Sequence, residues 1–297
     1  MSPPPNSSTF RSFGLWASLA TFVAVVGLLT PPAVHVWRMQ QFRADLAEVQ
    51  GRMTTKPVVA PWLRGVLGEE VSVYFDRVIE VRAYSKKVDD VWIRRLQQFP
   101  HLHSLYLNDT GISDAGLESL KDLKKLRVLQ LPGTAITDRG LATIASQWPD
   151  LTELRVGRTR VTDAGLRHLS GMKRLQALGL LNDDVTDDGL AVLSGLPELN
   201  DLYLSGTKIT DQGLWQLSHL RLKEIRLENT AVTDAGLEFL RAMPLVYIEL
   251  GTEKTSIYGR WRLRQQHPKA EIRAEDTGEW LLIDEGEATE IFEVTIQ

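Results

Sequence analysis

The chain has 297 residues, 43% of them hydrophobic and 24% charged, with a formal net charge of -4. That balance fits a folded protein and argues against a dedicated nucleic-acid binder, which carries a basic excess. There is no cysteine, so disulfides, thiolate zinc sites and cysteine nucleophiles are excluded, while the redox compartment stays open. Charge is unevenly spread. From Glu271 onward nine acidic residues stand against one basic residue, Arg273, a net of -8, which leaves +4 for everything before it.

Residues 1–11 read as an N-terminal tail. From Ser12 to Trp37 there is no Asp, Glu, Lys or Arg, and the 19 residues from Ser12 to Thr30 run up to Pro31-Pro32. A helix of that length reaches about 28 Å, close to the roughly 30 Å hydrocarbon core of a bilayer, so residues 12–37 are predicted to be a single-pass transmembrane or signal-anchor helix. The competing reading is a cleaved signal peptide, whose apolar core usually runs only about 7–15 residues. Arg11 upstream against Arg38, Arg43 and Arg52 downstream favours a cytoplasmic repeat domain by positive-inside counting, but a tail this short crosses easily and leaves the side open.

In residues 38–60, Met39, Phe42, Leu46 and Val49 recur at helical spacing and Gly51 offers a stop. This predicts an amphipathic stalk, its stripe serving as packing surface or as a homodimer contact. The run Thr54 to Pro61 (TTKPVVAP) reads as a linker, since its two prolines disfavour a continued helix. Residues 61–98 are predicted to be an N-terminal cap and a degenerate first repeat, with Val81 and Ala83 in strand positions and Asp90 as its aspartate.

Residues 99–250 repeat. Aspartates stand at Asp90, Asp114, Asp138, Asp163, Asp187, Asp211 and Asp234, spaced 24, 24, 25, 24, 24 and 23 apart. Around the last six the phrase I/V-T/S-D-x-G-L returns, as in Ile112 to Leu117 and Val232 to Leu237. Ahead of each lies an L-x-L-like strand: Leu105-Tyr106-Leu107, Leu129-Gln130-Leu131, Leu154-Arg155-Val156, Leu178-Gly179-Leu180, Leu202-Tyr203-Leu204 and Ile225-Arg226-Leu227, with Ile248-Glu249-Leu250 following as a seventh. One repeat cannot stand alone, because roughly seven buried apolar side chains return about 10–20 kcal/mol gross against about 24 kcal/mol or more to order its backbone. Stacking neighbours share each apolar layer.

This pattern resembles the leucine-rich-repeat family. The resemblance implies an α/β fold, a right-handed solenoid with parallel strands on a concave face and helices on the convex face. Within the family the T-D-x-G-L phrase is similar to the cysteine-containing, F-box-associated subclass. Here, however, threonine (Thr110, Thr134, Thr159, Thr207, Thr230) stands where that subclass has cysteine or asparagine, Asp183 takes that place in the fourth repeat, and no F-box precedes the array. Residues 251–297 are expected to hold a C-terminal cap, with a helix from Tyr258 to His267 bearing exposed arginines, then Ile272 as a last strand and an acidic tail. That tail reads as two short strands around Asp284 to Glu287, able to fold back on the basic helix.

Each repeat aspartate is expected to cap its own helix rather than to bind calcium, because no repeat adds the further carboxylates a calcium site needs. The threonines are expected to satisfy neighbouring backbone groups. The run Asn182-Asp183-Asp184 is an irregularity, either a kink or a site. His101 and His103 lack a third metal ligand in sequence reach, and no H-E-x-x-H, G-x-S-x-G or Walker loop is present. The expected protein is therefore not an enzyme and needs no cofactor or metal. By strand alternation the middle residue of each L-x-L, and the residue two earlier, face outward. This selects Tyr106, Gln130, Glu153, Arg155, Asp201, Tyr203, Glu224 and Arg226 as the partner-binding surface of a membrane-anchored protein-interaction scaffold, with a structural, self-associating envelope protein as the alternative and an unrecognised hydrolase behind both.

Overall fold

The computed structural model describes residues 37–58 and 76–275. They fall into two compact units, one ending at Ala135 and the other beginning at Ile136. The predicted span 12–37 lies outside the described residues except for Trp37, as do the predicted cap segment 61–75 and the acidic tail from Asp276. Among the described residues no helix is long and apolar enough to cross a membrane.

The first unit opens with a helix through residues 37–48. Its stripe Met39, Phe42, Leu46 and Val49 is buried, with the Phe42 ring 5.8 Å from that of Trp92 and 4.6 Å from that of Phe99. Asp45 pairs with Arg95 at 2.8 Å. Of the two roles expected for the stripe, packing surface is the one it fills: it covers the first repeat within the chain and is not available as a dimer contact. The expected linker is also corrected. Strand β1 (Arg52–Lys56) pairs antiparallel with β2 (Arg77–Arg82), covering the edge of β2 and becoming the end strand among the described residues. Parallel to β2 run β3 (Ser104–Tyr106) and β4 (Val128–Gln130), separated by a 3-10 helix (Trp92–Gln98) and a helix (Asp114–Glu118).

The second unit holds six parallel strands, β5 (Glu153–Arg155), β6 (Ala177–Gly179), β7 (Asp201–Tyr203), β8 (Glu224–Leu227), β9 (Tyr247–Gly251) and β10 (Glu271–Glu275). Helices begin at Asp138, Asp163, Asp187, Asp211, Asp234 and Ile257. Strand positions Leu154, Leu178, Leu202, Ile225 and Ile248 are wholly buried, as are Leu166, Leu190 and Leu214 from the helices.

The phrase T-D-x-G-L carries the stacking. The residue before each aspartate, not the aspartate, is the N-cap: the hydroxyls of Thr162, Thr186, Thr210 and Thr233 accept the N–H two residues on. The aspartate sits in the first turn, where the helix dipole favours it, and its carboxylate reaches the next repeat. Asp163 accepts the Thr186 N–H at 2.9 Å and its hydroxyl at 2.7 Å, and Asp138, Asp187 and Asp211 do the same to Thr162, Thr210 and Thr233. In the first unit Asp90 clamps Ser113 likewise. Each hydroxyl thus accepts for its own helix and donates to its neighbour's aspartate, which a threonine or serine can do and an aspartate cannot. The expected capping aspartate is an inter-repeat clamp instead.

The turns after β3 to β8 each contain a left-handed residue: Asp109, Gly133, Arg158, Asn182, Gly206 and Asn229 all have φ between 50° and 73°. Next to it the ladder threonine turns back on its own repeat. Thr110, Thr134, Thr207 and Thr230 donate to the carbonyl three residues earlier at 2.6–2.8 Å.

Candidate functional site

In the second unit the outward residues of the strands stand in two rows. One runs Glu153, Ala177, Asp201, Glu224, Tyr247, Glu271, and the other Arg155, Gly179, Tyr203, Arg226, Glu249, Arg273. Each guanidinium of the second row is held by a carboxylate two residues back on its own strand. Arg155 Nε lies 2.8 Å from Glu153 Oε1, an ion pair whose N–H is not aligned for a hydrogen bond. Arg226 is bonded to Glu224 at 2.9 Å and paired with Glu249 at 3.3 Å, and Arg273 lies 2.6 Å from Glu271.

The held guanidinium groups stack on aromatic rings. Tyr203 lies between Arg155, 4.7 Å from its centroid, and Arg226, 4.9 Å away, while Tyr247 lies between Arg226 and Arg273 at 5.3 and 5.4 Å. Such contacts contribute about 0.5–1 kcal/mol each at exposed sites and more where water is excluded. Arg155 is two strands from Tyr203 and reaches it because Gly179 stands between them: a Cβ there would lie 3.1 Å from Arg155 Cγ. The Tyr203 ring is only 5% exposed, and its hydroxyl donates to Glu224 at 3.2 Å.

The electrostatics follow from this packing. Burial, then the nearby Glu224 charge, pushes the Tyr203 phenol up to about 12, so it stays a donor. Burial and Glu224 also raise the Asp201 carboxyl. Burial alone would lower Arg226, but its hydrogen bond to Glu224 and the field of Glu249 hold it above its ordinary value.

In the first unit Tyr106 and Gln130 are neighbours on β3 and β4. The Arg82 guanidinium lies 4.3 Å from the Tyr106 centroid and 2.8 Å from Glu80, repeating the same arrangement. The structure thus brings Glu153, Arg155, Asp201, Tyr203, Glu224 and Arg226 together on one face. Tyr106 and Gln130 share a face of the first unit. Strand alternation in the sequence also turns Tyr247 and Glu249 outward, though the predicted site stopped at Arg226, and it left out Arg82, Glu271 and Arg273. The signal was available, because Val81-Arg82-Ala83 and Ile272-Arg273-Ala274 carry the same alternation through the degenerate end repeats.

The run Asn182-Asp183-Asp184 is an inter-repeat polar contact. Asp183 takes the ladder threonine's place, and its Oδ1 accepts the Thr159 N–H at 2.8 Å and the Thr159 hydroxyl at 3.2 Å. Its Oδ2 has no hydrogen-bond partner, and burial pushes the carboxyl up to about 7 against the lowering effect of the Thr159 bonds. His101 and His103 are neighbours, His103 Nδ1 lying 2.6 Å from the His101 carbonyl and Lys125 Nζ 3.0 Å from His101 Nδ1. Among the described residues no group of three His, Cys, Asp or Glu side chains could hold a metal ion.

Comparison with known proteins agrees with the repeat reading over part of the chain. Residues 100–121 match the family model described as Leucine Rich repeat. Among solved structures the chain is similar to internalin C2 from Listeria monocytogenes, with 24% identity over 58% of this chain and 80% of that one, at a TM-score of 0.43. Comparison with curated protein sequences gives no match.

Proposed function

We propose that the chain is a leucine-rich-repeat interaction module that takes a protein partner on its strand face and does no chemistry there. Leucine-rich-repeat proteins typically bind proteins, and the match at residues 100–121 supports that class. The observation that carries the reading is the Arg155–Tyr203–Arg226 stack. Tyrosine and arginine are favoured as interface hot spots, and here both are held in one conformation before a partner arrives, which reduces the ordering cost of binding. The recurring T-D-x-G-L phrase supports placing the array beside the cysteine-containing subclass.

A photocrosslinking residue placed at Glu249, on this face, should capture the partner, whereas the same residue at Ser146, on a helix of the same unit, should not. Capture from Ser146 alone would move the site to the helices.

A membrane tether at residues 12–37 belongs to the proposal, supported by the uncharged run from Ser12 to Trp37. Carbonate extraction should leave the chain with the membrane pellet. Release into the supernatant would remove the tether from the account.

A further inference from the structure

At the end of the second unit the repeat pattern is broken at one position. The last helix (Ile257–Gln266) is capped by Ser256, which corresponds to Thr233, and Gly259 corresponds to Gly236. The residue in the clamp position is thus Ile257, where the repeat helices begin with Asp114, Asp138, Asp163, Asp187, Asp211 and Asp234. It cannot bind the hydroxyl of a following repeat, and it is 75% exposed. Beside it Tyr258 and Trp261 stack 5.9 Å apart and are 64% and 47% exposed. The last strand is open too. Ile272 and Ala274 are partly exposed, although their register partners Ile248 and Leu250 are buried, and among the described residues β10 pairs with β9 alone.

The charge around this apolar surface has one sign. Residues 254–270 contain Lys254, Arg260, Arg262, Arg264 and Lys269 and no acidic residue. Glu238 pairs with Arg262 at 3.0 Å, while Arg260 and Arg264 bind backbone carbonyls at 2.5 and 2.7 Å. Twenty-two residues follow Glu275, with seven acidic residues, no basic one, the apolar run Trp280 to Ile283 and the mostly apolar stretch Ile291 to Ile296, which Glu293 and Thr295 interrupt. Glu275 lies opposite Gly251 in the sheet, and Gly251 precedes Ile257 by six residues. The segment therefore leaves β10 on the side where the last helix begins, and six to nine extended residues span about 20–30 Å.

We propose that residues 276–297 cover this end of the array, their apolar runs on Ile257, Trp261 and Ile272 and their carboxylates over the basic stretch 254–270. The last layer is then closed by a segment of the same chain, as β1 and the helix through residues 37–48 close the first. Net charge and apolar pattern both match, and the short tether keeps the segment at high effective concentration.

Because the chain has no cysteine, disulfide trapping in the full-length protein has no background. Tyr258→Cys combined with Leu282→Cys or Val294→Cys should form an intramolecular disulfide at least about tenfold faster than Ser146→Cys combined with the same partners. Replacing Asp284, Glu285, Glu287, Glu290 and Glu293 by their amides should bring the two rates together. Equal rates in the unaltered tail would overturn the proposal. Disulfides that form only between two chains would also overturn it and make a second copy the occupant of this face.

Discussion

Asp187 Oδ1 occupies the place that a Cβ on Gly213 would need. The same holds for Asp163 with Gly189 and Asp211 with Gly236, so the aspartate of one repeat and the glycine of the next are one device. The carboxylate lies over the glycine and holds the cap hydroxyl beside it. Asp187→Ala removes two bonds to Thr210 and is expected to cost about 1–3 kcal/mol, and Gly213→Ala should cost a comparable amount by pushing the carboxylate away. The double variant should be less destabilised than the sum, since the shorter of the methyl group's two close contacts goes with the carboxylate while Ile209 Cγ2, 2.8 Å from the Cβ position, remains. Urea unfolding of the four proteins measures this. Strict additivity would mean that the two residues act independently.

Asp183 makes stability depend on pH in a direction opposite to a paired carboxylate. Its folded carboxyl keeps its proton to about pH 7, whereas the unfolded one releases it near 3.8. The contribution is therefore full below the lower value, falls as pH rises through the interval, and is flat above about 7. Its size is on the order of 4 kcal/mol. Asp183→Asn keeps an acceptor for Thr159 and removes the slope. It should be more stable than the parent at about pH 8 and close to it at about pH 4. Parallel stability curves for the two proteins across this range would refute the assignment.

Arg158 stands in the left-handed turn position with φ of 58°, where the other repeats have Asp, Asn or Gly. A side chain without a short polar tip is strained there by roughly 1 kcal/mol. Arg158→Asn is expected to raise the Tm by a few degrees, read by differential scanning calorimetry. A fall in Tm would show that the arginine's own contacts outweigh the strain.

The array was legible because its signal is chemical and periodic. Leu105, Leu129, Leu154, Leu178 and Leu202 recur in register, and the residues beside them alternate outward as the face requires. What the pattern did not reveal depends on contacts across a repeat boundary. Thr186 and Asp187 can each cap a helix, and only the structure shows that threonine caps while aspartate reaches forward to Thr210. The stripe Met39, Phe42, Leu46 and Val49 marks an apolar face without naming its partner, and the partner proved to be the chain's own Trp92 and Phe99. The strand at residues 52–56 was hidden because its pairing is with β2, more than twenty residues away, and Pro57 follows it at once. Gly179 stands in the outward row, but its role lies in the side chain it lacks, which leaves the room that Arg155 fills.

A protein partner held on the strand face around Tyr203 depends on the two guanidinium groups that stack on that ring. Arg155→Glu with Arg226→Glu breaks both guanidinium stacks and places charges beside Glu153 and Glu224, while the buried strand positions are untouched. The most direct measurement is the Kd of the partner captured through Glu249, by calorimetry, for the parent and this double variant, with the Tm of each recorded. Binding is expected to weaken at least about a hundredfold, about 2.7 kcal/mol, with the Tm lowered by the lost stacks and ion pairs but the chain still folded at the temperature of measurement. An unchanged Kd would contradict this expectation and place the interaction on another surface of the chain.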